Sequence, residues 1–286
     1  MVSALVEIGL GVITCLIMWT ALYHLMRFVR SSKTSEWHCR WVTMIHAATV
    51  TILSGYCGFI DGPWPFTDPG SPRTLQRLLD SGGPNTHWQT ITVTVCLGYF
   101  IFDLTWCLYN KTEGPVMLLH HILSIFGMTM TLLCGKYGTE MTAAIFGSEI
   151  SNPFLQMRWF IKETGNYQTW YAEINDALFM SLFGFMRIGV GSYLLYTYLN
   201  HPRPDSLGRF GALALYAISW IFWMGICRYA VRKYMKKYKA MKARTVESEH
   251  EKKNGRCKNG GVEPSGFDRE QVATVTNGHA TKSKAE

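Results

Sequence analysis

The sequence predicts an all-α polytopic membrane protein with seven transmembrane helices, and two observations carry that prediction. The apolar residues fall into seven long blocks, residues 4–29, 41–60, 89–109, 116–134, 138–160, 174–199 and 209–231, each able to cross a hydrocarbon core of about 30 Å as a helix. Basic residues collect in the connection after the first block and beyond the last, as they do on the cytosolic side of a membrane. Composition alone decides less: 286 residues with 48% hydrophobic and 14% aromatic content are values a soluble domain shares.

The first block, LVEIGLGVITCLIMWTALYHLMRFV, has no basic region before it and no small-residue cleavage site after it. It reads as a retained helix within residues 1–30, not as a cleaved signal peptide. Arg27, Arg30, Lys33 and Arg40 follow it, whereas nothing basic precedes it, which puts the amino terminus on the lumenal side. Between the second and third blocks runs DGPWPFTDPGSPRTLQRLLDSGGPNTHW, holding five of the ten prolines. It is expected to form an ordered lumenal cap with one short helix, TLQRLLD, and Trp64, Phe66 and Trp88 suit an aromatic belt at headgroup depth.

The third and fourth blocks are joined by a few residues and should be antiparallel neighbours. Their connection, NKTEG, holds a glycosylation sequon at Asn110 that this topology leaves unused in the cytosol. The fifth carries Asn152-Pro153, and a proline there frees a backbone carbonyl that must find another partner. Asn175 and Asp176 open the sixth block, where an acid suits the helix dipole as a cap.

The seventh crossing returns the chain to the cytosol. Residues 233–286 hold 13 Lys and Arg against 7 Asp and Glu, so +6 of the formal +8 lies there. The basic charge is a property of the tail and gives no ground for a nucleic-acid partner. It fits the positive-inside signal or contact with anionic lipid heads. Residues 240–286 are expected to be a disordered cytosolic tail. The chain ends KSKAE, where Lys282 and Lys284 have the spacing of a dilysine retrieval signal for the endoplasmic reticulum, read by coat proteins. Six of the eight cysteines lie within spans and none forms CxxC, so they read as packing residues with neither a zinc nor a disulfide framework.

Ionisable residues inside spans are costly and mark sites. At about 1.5 Å of rise per residue, His46 lies roughly 8 Å into the second helix, Asp103 roughly 9 Å from the end of the third, and His120 roughly 6 Å into the fourth. Asp103 is therefore in reach of His120 or His121, either as an acid–base unit or as a polar clamp between helices. Adjacent helical residues diverge by about 100°, so one histidine can line a cavity while the other bonds a neighbouring helix. No HxxxH or HExxH spacing occurs, and no metal site is expected. Glu149 near mid-bilayer, one turn before Pro153, suggests a lined chamber; alternatively Arg187 neutralises it as a buried ion pair.

Trp37, Arg40 and His46, then GPWPF at 62–66, Asp103 in YFIFDLTW, HHILS, and SEISNP together resemble the TLC-domain family of endoplasmic-reticulum membrane proteins, its small TLC domain-containing members most of all. The resemblance covers residues 35–235. It implies a six-helix TLC barrel-like bundle around a lipid-sized cavity, with the first helix as an addition. The family includes ceramide synthases, which join a fatty acyl-CoA to a sphingoid amine, and relatives that influence phospholipid composition or export. The synthase pattern pairs His-His with a downstream His-Asp and a further Asp. Here His120 and His121 match the pair, Ser148 stands in the later His position, Glu149 keeps an acid and Asn152 replaces the last Asp.

Half of the presumed acid–base machinery is thus missing. The expected function is binding or modulation of acyl-chain lipids for membrane lipid homeostasis, with membrane lipids as partners and no resident cofactor. Its polar cluster would be His46, Asp103, His120, His121, Glu149 and Asn152. The alternatives are an acyl-CoA-dependent acyltransferase using His120, His121, Asp103 or Glu149, and a cargo receptor or chaperone-like membrane protein. A seven-helix receptor is disfavoured by the missing DRY and NPxxY motifs and by the retrieval tail.

Overall fold

The computed structural model describes residues 2–61 and 82–258, and among them every named element is helical. The chain divides into two compact units, residues 1–229 and 230–286. The elements are α1 (Val2–Val29), α2 (Ser35–Tyr56) extended by a π-helical turn (Cys57–Asp61), α3 (His87–Asn110), α4 (Pro115–Cys134), α5 (Gly138–Glu149), α6 (Asn152–Glu163), α7 (Trp170–Phe183), a second π-helical turn (Gly184–Val190), α8 (Gly191–Asn200) and α9 (Ser206–Lys258). Six stretches among the described residues are long and apolar enough to cross a membrane: Leu5–Val29, Ser35–Asp61, His87–Asn110, Pro115–Cys134, Trp170–Asn200 and Ser206–His250. The chain is a multi-pass, all-α membrane protein.

The fifth predicted crossing is broken. Residues 138–160 do not form one helix; α5 and α6, each of 12 residues, meet at the turn Ile150-Ser151. Pro153 has no N–H to offer the preceding turn, so an unbroken ladder cannot pass it. It sits instead in the first turn of α6, where a missing donor costs nothing.

Local chemistry fixes the other boundaries. Thr34 accepts a hydrogen bond from the Trp37 amide at α2, and Thr86 with Gln89 makes a reciprocal capping box at α3. Pro115 occupies the first turn of α4, and Gly135, with φ of 62°, ends it in the left-handed conformation. Beyond it Tyr137 has φ of 72°, and Asn85 ties this turn to the start of α3 by donating to the Thr131 carbonyl at 2.9 Å and accepting from the Gly138 amide at 2.7 Å.

α3 lies at the centre, packed against α1, α2, α4 and α5. Trp19, Tyr23, Val42, Val50, Val93, Leu97, Phe100, Phe102, Met128 and Ile145 form its core cluster. α1 approaches so closely at Gly98 that a Cβ there would lie 2.7 Å from Cys15 Cβ; small residues permit such approach between membrane helices, where packing rather than water drives association.

Two expectations are corrected. Asn175 and Asp176 do not cap a helix: α7 starts at Trp170 after Thr169, placing both more than a turn inside it. There Asn175 donates to the Phe154 carbonyl at 2.9 Å, and Asp176 pairs with Arg158 at 3.3 Å while accepting from Tyr167 at 2.5 Å. These bonds fasten α7 to α6. The disorder expected from residue 240 gives way to helix as far as Lys258, in a stretch rich in Lys, Ala, Met and Glu, all strong helix formers. Residues 259–286, with Lys282 and Lys284, lie outside the described residues, as do Trp64, Phe66 and the TLQRLLD segment.

Candidate functional site

α3 and α4 meet through a pair made of the buried His121 and the partly buried Asp103. His121 Nε2 lies 2.7 Å from Asp103 Oδ2, and His121 Nδ1 lies 2.8 Å from the Met117 carbonyl of its own helix. Both partners accept, so both ring nitrogens face lone pairs. The Cys39 thiol donates to the other Asp103 oxygen at 3.7 Å. Asp103 thus meets His121, not His120, one of the two partners left open by sequence.

His120 turns the other way. Its ring packs edge-on against Phe100 and Phe222, makes no hydrogen bond among the described residues, and lines a cavity of about 790 Å³. The lining of that cavity follows α4 from His120 to Cys134, roughly 21 Å of helical rise. Apolar residues such as Leu123, Met128, Ile145, Leu194 and Leu215 make up most of the wall, and His120, Ser148, Glu149 and Arg187 gather at one part of it. Tyr137, Glu140, His201 and Asp205 form another polar region of the same wall.

Glu149 does not pair directly with Arg187. The Arg187 guanidinium donates from Nη2 to the Ser148 carbonyl at 2.8 Å, at the point where α5 stops and that oxygen needs a donor. Glu149 Oε2 instead accepts from Asn152 at 2.9 Å. From there a chain of polar contacts runs to the end of the bundle that carries the α1–α2 and α3–α4 turns. Gln156 donates to Asn152 at 2.8 Å, Arg40 donates to Gln156 at 3.4 Å, and Arg40 pairs with Glu36 at 3.1 Å and Glu113 at 3.4 Å. Burial pushes the Glu113 carboxyl above the ordinary glutamate range, with the Arg40 cation opposing it.

His46 is fully buried, stacked on Tyr99 with ring centroids 3.6 Å apart and edged by Trp19. Its Nδ1 is 3.9 Å from Glu149 Oε2, beyond hydrogen-bond reach. The predicted polar cluster therefore separates into three: the Asp103–His121 pair, the cavity group of His120 and Glu149 with Asn152 behind it and Arg187 beside it, and His46 inside an aromatic cage. Sequence reasoning missed Tyr99, Gln156 and Cys107. For Cys107 a signal existed, since it lies four residues after Asp103 on one helical face.

A family model for the TLC domain matches residues 36–235. The chain belongs to the TLC-domain family. Among curated proteins this TLC-domain chain is 28% identical over 141 residues to topoisomerase I damage affected protein 4 of Saccharomyces cerevisiae, covering 46% of this chain and 50% of that protein. It is 24% identical over 164 residues to TLC domain-containing protein 4-B of Danio rerio, covering 56% of each. The chain spans about half the length of the curated relatives it matches.

Proposed function

We propose that this TLC-domain protein binds acyl-chain lipids within its helical bundle and so contributes to lipid homeostasis of the endoplasmic-reticulum membrane, with the broken α5–α6 pair making one of seven crossings that leave the amino terminus lumenal and the tail cytosolic. One observation carries the reading: an apolar cavity of about 790 Å³ with His120, Glu149 and Arg187 on its wall. That volume falls in the range of small-molecule sites, about 300–1,000 Å³, in which few polar groups orient a mostly apolar ligand. An acyl chain entering from the bilayer would lie along α4 with its head at these three residues. Lipid retained by protein purified in mild detergent tests this by mass spectrometry. A defined acyl species should be present in the parent, lost in His120→Ala, and kept in folded His121→Ala. The same unselected phospholipids in every variant would overturn it.

A second reading, an acyl-CoA-dependent acyltransferase, is favoured by the unbonded imidazole of His120 on the cavity wall, the kind of group that takes a proton or carries an acyl group. No carboxylate orients that ring among the described residues, and Glu149 is bonded to Asn152. Consumption of acyl-CoA by purified protein, abolished in His120→Ala, would establish this chemistry; no turnover across a panel of amine and hydroxyl acceptors would remove it.

A further inference from the structure

The Asp103–His121 pair lies outside the cavity wall and has a third member, Cys107. Their donor atoms all lie within 4.8 Å of one another. We propose that Asp103, Cys107 and His121 bind a divalent transition-metal ion, zinc being the best match to the donor set, and that the ion ties α3 to α4 independently of any lipid site.

The argument begins with His121. A backbone carbonyl can only accept, so the 2.8 Å contact with Met117 requires a proton on Nδ1. In a neutral ring Nε2 is then a lone pair, and it faces a carboxylate oxygen at 2.7 Å. Two lone pairs at that distance need an electrophile between or beside them, either a proton, carried by the ring or by the carboxyl, or a metal cation. The Nδ1–H bond to a backbone carbonyl is also the outer hydrogen bond that metal-bound imidazoles use to fix their tautomer. Asp103 is held in the same manner, by the Cys39 thiol on its other oxygen.

Spacing supports the set. Asp103 and Cys107 are four residues apart on α3, hence on one face, and His121 reaches across from α4. Bonds of about 2.0–2.3 Å place neighbouring donors roughly 3.3–3.8 Å apart around a tetrahedral zinc. The present separations, from 2.7 Å for the His–Asp pair up to 4.8 Å at most, bracket that spacing. A nitrogen, an oxygen and a sulfur donor suit zinc, whereas calcium and magnesium take oxygen shells. Cys107 and His121 are buried, so a bound ion would be shielded. Binding releases two protons to solvent, one from the His121–Asp103 contact and one from the Cys107 thiol, and the three donors take their place around the ion.

The test uses the full chain purified in mild detergent without a histidine tag or chelator and dialysed against zinc. Elemental analysis should give about one zinc per chain, reduced at least about fivefold in Cys107→Ser and unchanged in Cys227→Ser, which alters a free cysteine outside both the set and the cavity wall. Cobalt loaded in place of zinc should give a thiolate-to-cobalt charge-transfer band in the parent. That band needs no variant, so it decides the matter even if Cys107→Ser fails to fold. Zinc below about a tenth of an equivalent with no cobalt band, or metal unaffected by Cys107→Ser in a monodisperse sample, would overturn the proposal and leave a proton-bridged His–Asp pair.

Discussion

His120 and His121 are chain neighbours with ring centroids 5.9 Å apart and planes at 73°, and they serve different sides of α4. His121 bonds Asp103 on α3, while His120 lines the cavity. The roughly 100° between adjacent helical side chains makes this division unavoidable. Their substitutions should therefore separate. His121→Ala is expected to lower the melting temperature in detergent, and His120→Ala to leave it near the parent value.

A double-mutant cycle between Asp103→Asn and His121→Gln should measure the pair itself, with a chelator present so that no metal contributes. Hydrogen bonds between membrane helices couple by about 0.6 kcal/mol on average and reach about 1.7 kcal/mol. With the proton on the ring the pair is charge-assisted, and coupling above about 1.7 kcal/mol is expected. A coupling near 0.6 kcal/mol would put the proton on the carboxyl and make the pair neutral.

Much of this was legible in the sequence, for identifiable reasons. Long apolar blocks are one-dimensional signals, so six of the seven spans and the antiparallel α3–α4 neighbours could be read directly. Depth along a helix is also linear, which is why Asp103 was matched to the histidine pair. Azimuth between helices is not linear: sequence left the choice between His120 and His121 open, and left Glu149 either lining a chamber or paired with Arg187. The π-helical turn around Arg187 rotates that side chain relative to an ideal helix. Gly184, Gly189 and Gly191 around it were the available hint. Asp176 was misjudged because the first turns of α7 contain Trp170 and Tyr171, whose apolar bodies end in polar tips and blur the span boundary.

The bond from Arg187 to the Ser148 carbonyl predicts an asymmetry. Arg187→Met leaves a buried carbonyl at the α5–α6 break without its donor, a loss of about 1–3 kcal/mol. Glu149→Gln keeps an oxygen able to accept from Asn152 and should cost less than about 1 kcal/mol. Were the two residues a direct buried ion pair, neutralising Glu149 would strand a cation at a cost of about 3–5 kcal/mol. Chemical or thermal unfolding of the two variants in the same detergent distinguishes these cases.

At Gly98 an added Cβ would meet Cys15 Cβ at 2.7 Å, the Leu16 amide nitrogen at 3.0 Å and the Cys15 carbonyl carbon at 3.1 Å. Two of these are backbone atoms, which cannot swing aside, so Gly98→Ala should push α1 from α3 and destabilise by about 1–3 kcal/mol. At Gly11 the nearest atom is the Thr94 methyl at 3.3 Å, and Gly11→Ala should be much milder. Equal effects would show that α1 is not held against α3 at this contact.

Glu113, in the α3–α4 turn, gives a pH dependence whose sign follows from its environment. Burial raises its carboxyl above the unfolded value despite the Arg40 cation 3.4 Å away, so the folded state holds the proton more tightly than the unfolded chain. The resulting stabilisation is complete below the unfolded glutamate value, about 4.3, and is lost as pH rises through the higher folded value. Glu113→Gln removes that titration. Melting temperatures measured from about pH 4 upward should fall less steeply in the variant than in the parent, and the variant should be the more stable of the two at neutral pH. A steeper fall in the variant would mean that the Arg40 pairing outweighs burial and that the carboxyl is held down instead.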